Sequence, residues 1–278
     1  MSAGNSPVAA HKPPAADVKL FGVTSPCLVA KNLQGLQTLL FESGRLYLCR
    51  QNEPKTTETM EEKKSMNIYN LIILDESGSM ESIYAQALSG INETLSGIRR
   101  TQEDYPQQNH FVSIVTFEGS GMKGVKTRRD RVPVSKIDKL TEKDYRPGGC
   151  TPLYDAMGSA ISALEGHVTD GDGVLVTVIT DGYENASEEY SGKAVKEMVE
   201  RMRGKGWTFA YIGANQDAVE VARELSIPNA LNFDATPEGT VCMSVKYEKA
   251  RKKFAREISL HSEAVAHTME RLFEDEEQ

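Results

Sequence analysis

Three short segments carry oxygen donors where loops meet regular elements. Asp75-Glu76-Ser77-Gly78-Ser79 follows one apolar run and Thr180-Asp181-Gly182 closes another, while Gly148-Gly149-Cys150-Thr151-Pro152 precedes a helical pattern. Taken together, Asp75, Ser77, Ser79, Thr151 and Asp181 offer carboxylates and hydroxyls and no nitrogen or sulfur. Hard oxygen donors suit Mg²⁺, Mn²⁺ or Ca²⁺ and disfavour copper or zinc. Few carboxylates with room for water suit Mg²⁺ best. The paired carboxylates would balance the charge of a divalent ion, leaving an exchangeable position for an anionic oxygen from outside.

Other chemistries fit these residues less well. An EF-hand loop starting at Asp75 fails, because its sixth position is Met80 rather than Gly and its twelfth is Gln86 rather than Glu. Haloacid-dehalogenase-type phosphatases also begin with an Asp after the first strand, but the second Asp they require is Ser77 here. Neither Ser77 nor Ser79 stands in the Gly-x-Ser-x-Gly setting of a nucleophile elbow. Asp75 and the serines have a plainer reading as helix caps. Asp155 reads as an acid in a first helical turn, favoured by the helix dipole, and Cys150 as a small buried residue. Glu76, Tyr183 and Glu184 flank the segments, where they could shape selectivity, and the sequence does not decide between that and a structural role for Glu76 or Glu184. Histidines are His11, His110, His167, His261 and His267. None falls where it could act as a general base beside the oxygen donors.

The elements that position these segments are legible from periodicity. Apolar runs at Ile68 to Leu74, Phe111 to Phe117, Val174 to Thr180, Trp207 to Ile212 and Ala230 to Phe233 predict strands, with an edge strand at Arg131 to Val134. Helical spacing is found over Met80 to Arg100, Pro152 to Leu164, Glu188 to Arg203 and Asp217 to Leu225, with Asp217 as a cap. Strands alternating with helices predict an α/β fold, a doubly wound and mostly parallel sheet with helices on both faces. Such sheets bind ligands beyond the carboxyl ends of their strands, where all three segments fall.

With that order of elements, the set Asp75-x-Ser77-x-Ser79, Thr151 and Asp181-Gly182 resembles the metal-ion-dependent adhesion site of the von Willebrand factor type A domain family. The resemblance covers roughly residues 66–235, and more narrowly the chain resembles compact bacterial stand-alone members. It implies a Rossmann-like fold and a Mg²⁺ site, with Mn²⁺ or Ca²⁺ as alternatives, held by Asp75, Ser77, Ser79, Thr151 and Asp181. It also implies protein binding without catalysis, the Asp or Glu of a partner completing the metal shell. A Mg²⁺-dependent hydrolase or phosphatase using the same strand-end site is the alternative.

The rest of the chain narrows the function classes. It has 278 residues, a net charge of −8 and no apolar run approaching a membrane span. The first 65 residues carry +2 and the remainder −10, so the acidity belongs to the patterned part and argues against nucleic-acid binding. Four widely spaced cysteines and no apolar N-terminal segment predict a cytoplasmic protein. Residues 1–65 read as a leader and linker, either a weakly ordered extension or a start-site artefact. Short apolar pieces at Val18 to Val23, Leu39 to Phe41 and Leu46 to Cys49 suggest a hairpin within it. Residues 236–278 read as a C-terminal helix over Val241 to Phe273 and an acidic tail, the helix packing on the domain rather than serving as a docking arm.

Overall fold

The computed structural model describes residues 38–42, 45–49, 65–214, 218–260 and 269–273. The chain divides into two units, residues 1–62 and 63–278. In the first, β1 (Thr38–Glu42) and β2 (Arg45–Cys49) form an antiparallel hairpin. Val18 to Val23, His11, Asp217, His261 and His267 lie outside the described residues.

The second unit holds a six-stranded sheet. Its strands are β3 (Met66–Asp75), β4 (Gln108–Phe117), β5 (Val125–Pro133), β6 (Gly173–Thr180), β7 (Thr208–Ala214) and β8 (Asn229–Phe233). They run in the order β5-β4-β3-β6-β7-β8. All neighbours are parallel except the edge pair β4–β5, which is antiparallel with an irregular register. The doubly wound expectation holds. β6, Gly173-Val-Leu-Val-Thr-Val-Ile-Thr180, is buried along its whole length, which explains its nearly unbroken apolar sequence.

Helices cover both faces. α2 (Leu153–Glu165), α3 (Gly192–Gly204) and α4 (Ala218–Glu224) pack on one, where Leu71, Ile73, Val176 and Phe209 point. α3 presents Val195, Val199 and Met202 to this core at helical spacing. Each such apolar side chain contributes about 2 kcal/mol when fully buried. α1 (Tyr84–Asp104) and α5 (Pro237–Leu260) cover the other face, over Ile72, Leu74, Val112 and Ile114. No described helix is long and apolar enough to cross a membrane.

Several boundaries differ from the periodic reading for local reasons. A 3-10 turn over Gly78–Ile83 precedes α1, taking the chain out of the Asp75 loop before the α-helix starts. α3 begins at Gly192 rather than Glu188, because the backbone N–H groups of Glu188, Glu189 and Tyr190 all donate to the Asp155 carboxylate. Ser191 then caps the helix by accepting from the Ala194 N–H. At the C-terminal end α5 is described over Pro237–Leu260, and Met269–Phe273, within the expected helix over Val241 to Phe273, is not helical. That segment is tied to the sheet instead: Asn229 Nδ2 donates to the Met269 carbonyl at 2.7 Å, and the Leu272 N–H donates to Asn229 Oδ1 at 2.8 Å.

Candidate metal centre

Asp75 ends β3 and Thr180 ends the neighbouring β6, so the parallel register brings the first and third segments side by side at the carboxyl edge. The Asp75 carboxylate is fully buried. Its Oδ1 accepts from the Ser77 N–H at 2.7 Å, and its Oδ2 accepts from Thr180 Oγ1 at 2.5 Å. Ser79 Oγ donates to Asp181 Oδ1 at 2.6 Å and lies 3.1 Å from Ser77 Oγ. Thr151 reaches the same place from the second segment. A Cβ added at Gly182 would sit 3.4 Å from both Ser79 Oγ and Thr151 Oγ1, and 3.8 Å from Asp75 Oδ2. Asp75, Ser77, Ser79, Thr151 and Asp181 therefore converge around a cradle that a glycine leaves open.

The second segment is held to each of its neighbours by backbone bonds. The Gly148 N–H donates to the Glu76 carbonyl, and the Gly78 N–H to the Gly149 carbonyl. The Gly119 N–H donates to the Cys150 carbonyl, attaching the loop after β4. Gly149 adopts φ +69, a left-handed conformation that disfavours any side chain. A Cβ there would also come within 2.7 Å of the Gly119 nitrogen.

Beneath the first segment, Glu76 is 1% exposed and pairs with Arg128 Nη2 at 2.7 Å while accepting from the Arg146 N–H at 2.6 Å. Its role is thus to anchor the loop from below, and its side chain does not face a ligand. Tyr145 adds a further tie, its hydroxyl donating to the Asp75 carbonyl at 2.8 Å.

The third segment folds over the start of α2. Glu184 accepts from the backbone N–H groups of Tyr154, Ala186 and Ser187, and Ser187 Oγ accepts from the Asp155 N–H. These bonds satisfy N-terminal donors of α2 that Pro152, at its cap position, does not. Asp155 does stand in the first turn of α2, but it is fully buried and its work is to hold residues 188–190. Cys150 is exposed, contrary to the expectation of a buried small residue; it meets the loop after β4 through its backbone carbonyl. Thr180 stands in the third segment without a role assigned from sequence, and Asn185 escapes notice there. A polar residue closing the apolar strand β6 hints at Thr180, whereas nothing local links Asn185 to Thr151.

Electrostatically the site invites a cation. Among the described residues neither Asp75 nor Asp181 forms an ion pair. Burial pushes the Asp75 carboxyl up to about 6, against the bonds from Thr180 and Ser77 that favour its ionised form. Burial raises Asp181 as well. A buried carboxylate and a partly buried one, with no ion-pair partner among the described residues, form with three hydroxyl oxygens a donor set that fits a hard divalent ion. No group of three or more His, Cys, Asp or Glu gathers to hold a metal among the described residues. Here the remaining donors are hydroxyls. His110 lies within β4 near its amino end rather than before the strand, and His167 precedes β6, so both stand at the amino-end edge of the sheet.

No protein-family model matches the sequence, and no curated protein matches it. The fold, however, is similar to solved structures. Two forms of the pilus adhesin SpaC from Lactobacillus rhamnosus GG superpose with TM-scores of 0.54 and 0.52 at 12% identity, over 69% of this chain and 31% and 30% of theirs. A von Willebrand factor type A structure from Catenulispora acidiphila gives 0.45 at 16% identity, over 71% of this chain and 43% of that one. Proximal thread matrix protein 1 from the mussel byssus, in a form with a zinc-occupied MIDAS motif, gives 0.49 at 15% identity, over 68% and 46%. The chain spans less than half the length of each of these structures.

Proposed function

From a fold of the von Willebrand factor type A kind, we propose that this protein is a metal-dependent protein-binding module. Asp75, Ser77, Ser79, Thr151 and Asp181 would hold Mg²⁺, with Mn²⁺ or Ca²⁺ as substitutes. Bound there, the ion supplies an electropositive position that an Asp or Glu side chain of a partner protein can occupy. The observation that carries this reading is the cradle over Gly182, lined by Ser79 Oγ, Thr151 Oγ1 and Asp75 Oδ2.

This chain's own residues supply binding and orientation. Thr180 and the Ser77 N–H orient Asp75 through its two oxygens, and Ser79 orients Asp181. The Glu76–Arg128 pair and Tyr145 hold the first loop rigid from below. A non-catalytic role is part of the proposal: the described side chains gathered at the cradle are carboxylates and hydroxyls, and Ser77, Ser79 and Asp181 are linked to one another while Asp75 is held by Thr180 and the Ser77 N–H. We also place the protein in the cytoplasm, in keeping with free thiols at Cys150 and Cys242.

The test is calorimetric titration of the full chain with Mg²⁺ and Mn²⁺, followed by pull-downs in Mg²⁺ and in EDTA with wild type and Asp75→Ala. Binding of metal by the wild type alone, and partners retained only with metal, is the expected result. Equal recovery of partners in every arm would refute metal dependence. Phosphatase turnover with Mg²⁺, abolished by Asp75→Asn, would replace this reading with a hydrolase.

A further inference from the structure

Thr151 is 3% exposed, yet it sits in a segment with no regular structure of its own. Both of its backbone polar groups are engaged by a single residue. The Thr151 N–H donates to Asn185 Oδ1 at 2.8 Å, and the Asn185 N–H donates back to the Thr151 carbonyl at 3.2 Å. Asn185 is itself exposed, on the outer side of the loop that begins at Asp181. An exposed loop residue thus closes a two-bond clasp on a buried one 34 positions away.

We propose that Asn185 is a positioning residue for the metal site, setting Thr151 against Asp181 so that the two later ligands move as one unit. The inference rests on the metal-binding reading above and adds a residue to it. Its physical basis is the division of labour among the bonds. The first loop meets the second through Gly78–Gly149 and Gly148–Glu76, and meets the third through Ser79–Asp181 and Asp75–Thr180. At Thr151 itself, the second and third loops are joined by the clasp, whose side-chain half is the Asn185 amide. Glu184 and Ser187 continue the same seam, but they bond the helix start at Tyr154 and Asp155 rather than the ligand residue.

The chemistry requires an acceptor at this position. The Thr151 N–H points at Asn185, so the amide oxygen must face it, and a carboxylate could take the same place. Alanine removes the acceptor and leaves the donor to water. Because Asn185 is exposed and its own backbone N–H bond survives in any non-proline variant, losing its amide leaves the core untouched. Its effect should fall on the placement of Thr151, and outer-shell partners of metal ligands typically govern affinity by 10–100-fold.

The experiment uses the full chain as wild type, Asn185→Ala, Asn185→Asp and Asp75→Ala. Two quantities are read: Mn²⁺ affinity by calorimetry with the Mn²⁺ electron paramagnetic resonance spectrum, and exchange of the Thr151 amide hydrogen in metal-free protein. Asn185→Ala is expected to bind Mn²⁺ about tenfold more weakly and to exchange the Thr151 amide at least tenfold faster. Asn185→Asp should restore both protection and affinity. Wild-type affinity in Asn185→Ala, or a Thr151 amide unprotected in the wild type, overturns the positioning role. Equal Mn²⁺ binding by wild type and Asp75→Ala would instead overturn the metal reading, and the exchange data would still decide whether Asn185 holds Thr151.

Discussion

Thr180 Oγ1 donates to Asp75 Oδ2 across 2.5 Å, joining the last residues of two adjacent parallel strands through their side chains. The same hydroxyl accepts from the Gly182 N–H at 3.1 Å, so one oxygen orients a buried carboxylate and the turn that follows. Thr180→Val keeps the shape and removes both bonds. Hydrogen bonds to charged groups are worth about 1.5–3 kcal/mol, and about 2 kcal/mol of stability should be lost. The check is urea denaturation with and without Mg²⁺. A Thr180→Ser variant, which keeps the hydroxyl, should lie close to wild type.

Gly182 separates the metal site from the fold more cleanly than any ligand substitution does. A methyl group there would make ordinary van der Waals contacts at 3.4 Å and beyond, so Gly182→Ala should fold with a stability change below about 1 kcal/mol. The same methyl stands among Ser79 Oγ, Thr151 Oγ1 and Asp75 Oδ2. Metal binding should therefore fall by at least about tenfold while melting of the metal-free protein barely moves. A wild-type Mg²⁺ isotherm for Gly182→Ala would show that the ion does not use this cradle.

Much of the architecture is readable from period alone. Continuous apolar strands such as Val174 to Thr180 and the 195, 199, 202 spacing on α3 carry their own signal, and the carboxyl-edge position of the three loops follows from the alternation of strands and helices. Elements that tertiary bonds redefine are less legible. Helical propensity runs through Glu188 to Tyr190, but Asp155 captures their N–H groups and delays α3 to Gly192. Sequence leaves Glu76 open between selectivity and structure, and only the fold shows Arg128 of β5 beneath it. Partners such as Asn185 and Thr151 are separated by a whole helix and strand, and no local pattern connects them.

The buried Glu76–Arg128 pair makes the base of the first loop sensitive to charge. Glu76 is almost wholly inaccessible, while Arg128 retains partial exposure and a second bond to Thr116 Oγ1 at 2.9 Å. Breaking a buried pair costs about 3–5 kcal/mol when a charge is left unpaired, but water reaching Arg128 lowers that cost. Glu76→Gln should destabilise the domain by about 2–3 kcal/mol. Unlike a surface ion pair, the contribution should persist in high salt, so denaturation at low and high ionic strength distinguishes the two cases.

His110 should make stability fall on mild acidification. It is 3% exposed, with Nε2 2.9 Å from Gln108 Oε1 and Nδ1 3.4 Å from Asn70 Nδ2. Burial lowers its pKa to about 4 from 6.5, with the buried Arg251 guanidinium adding to the effect. The unfolded chain therefore binds a proton through this window when the folded one does not, and stability falls as pH drops from about 6.5 towards about 4. Below that range both states are protonated and the slope from this group vanishes. By linkage the loss at pH 5 is about 2 kcal/mol relative to pH 7.5. Other groups titrate in the same range, so the measurement is the difference between wild type and His110→Gln in denaturation midpoints at several pH values. Glutamine can donate to Gln108 without acquiring charge, and its stability should lack this component. Parallel curves for the two proteins between pH 7.5 and pH 5 would show that His110 does not remain neutral in the folded domain.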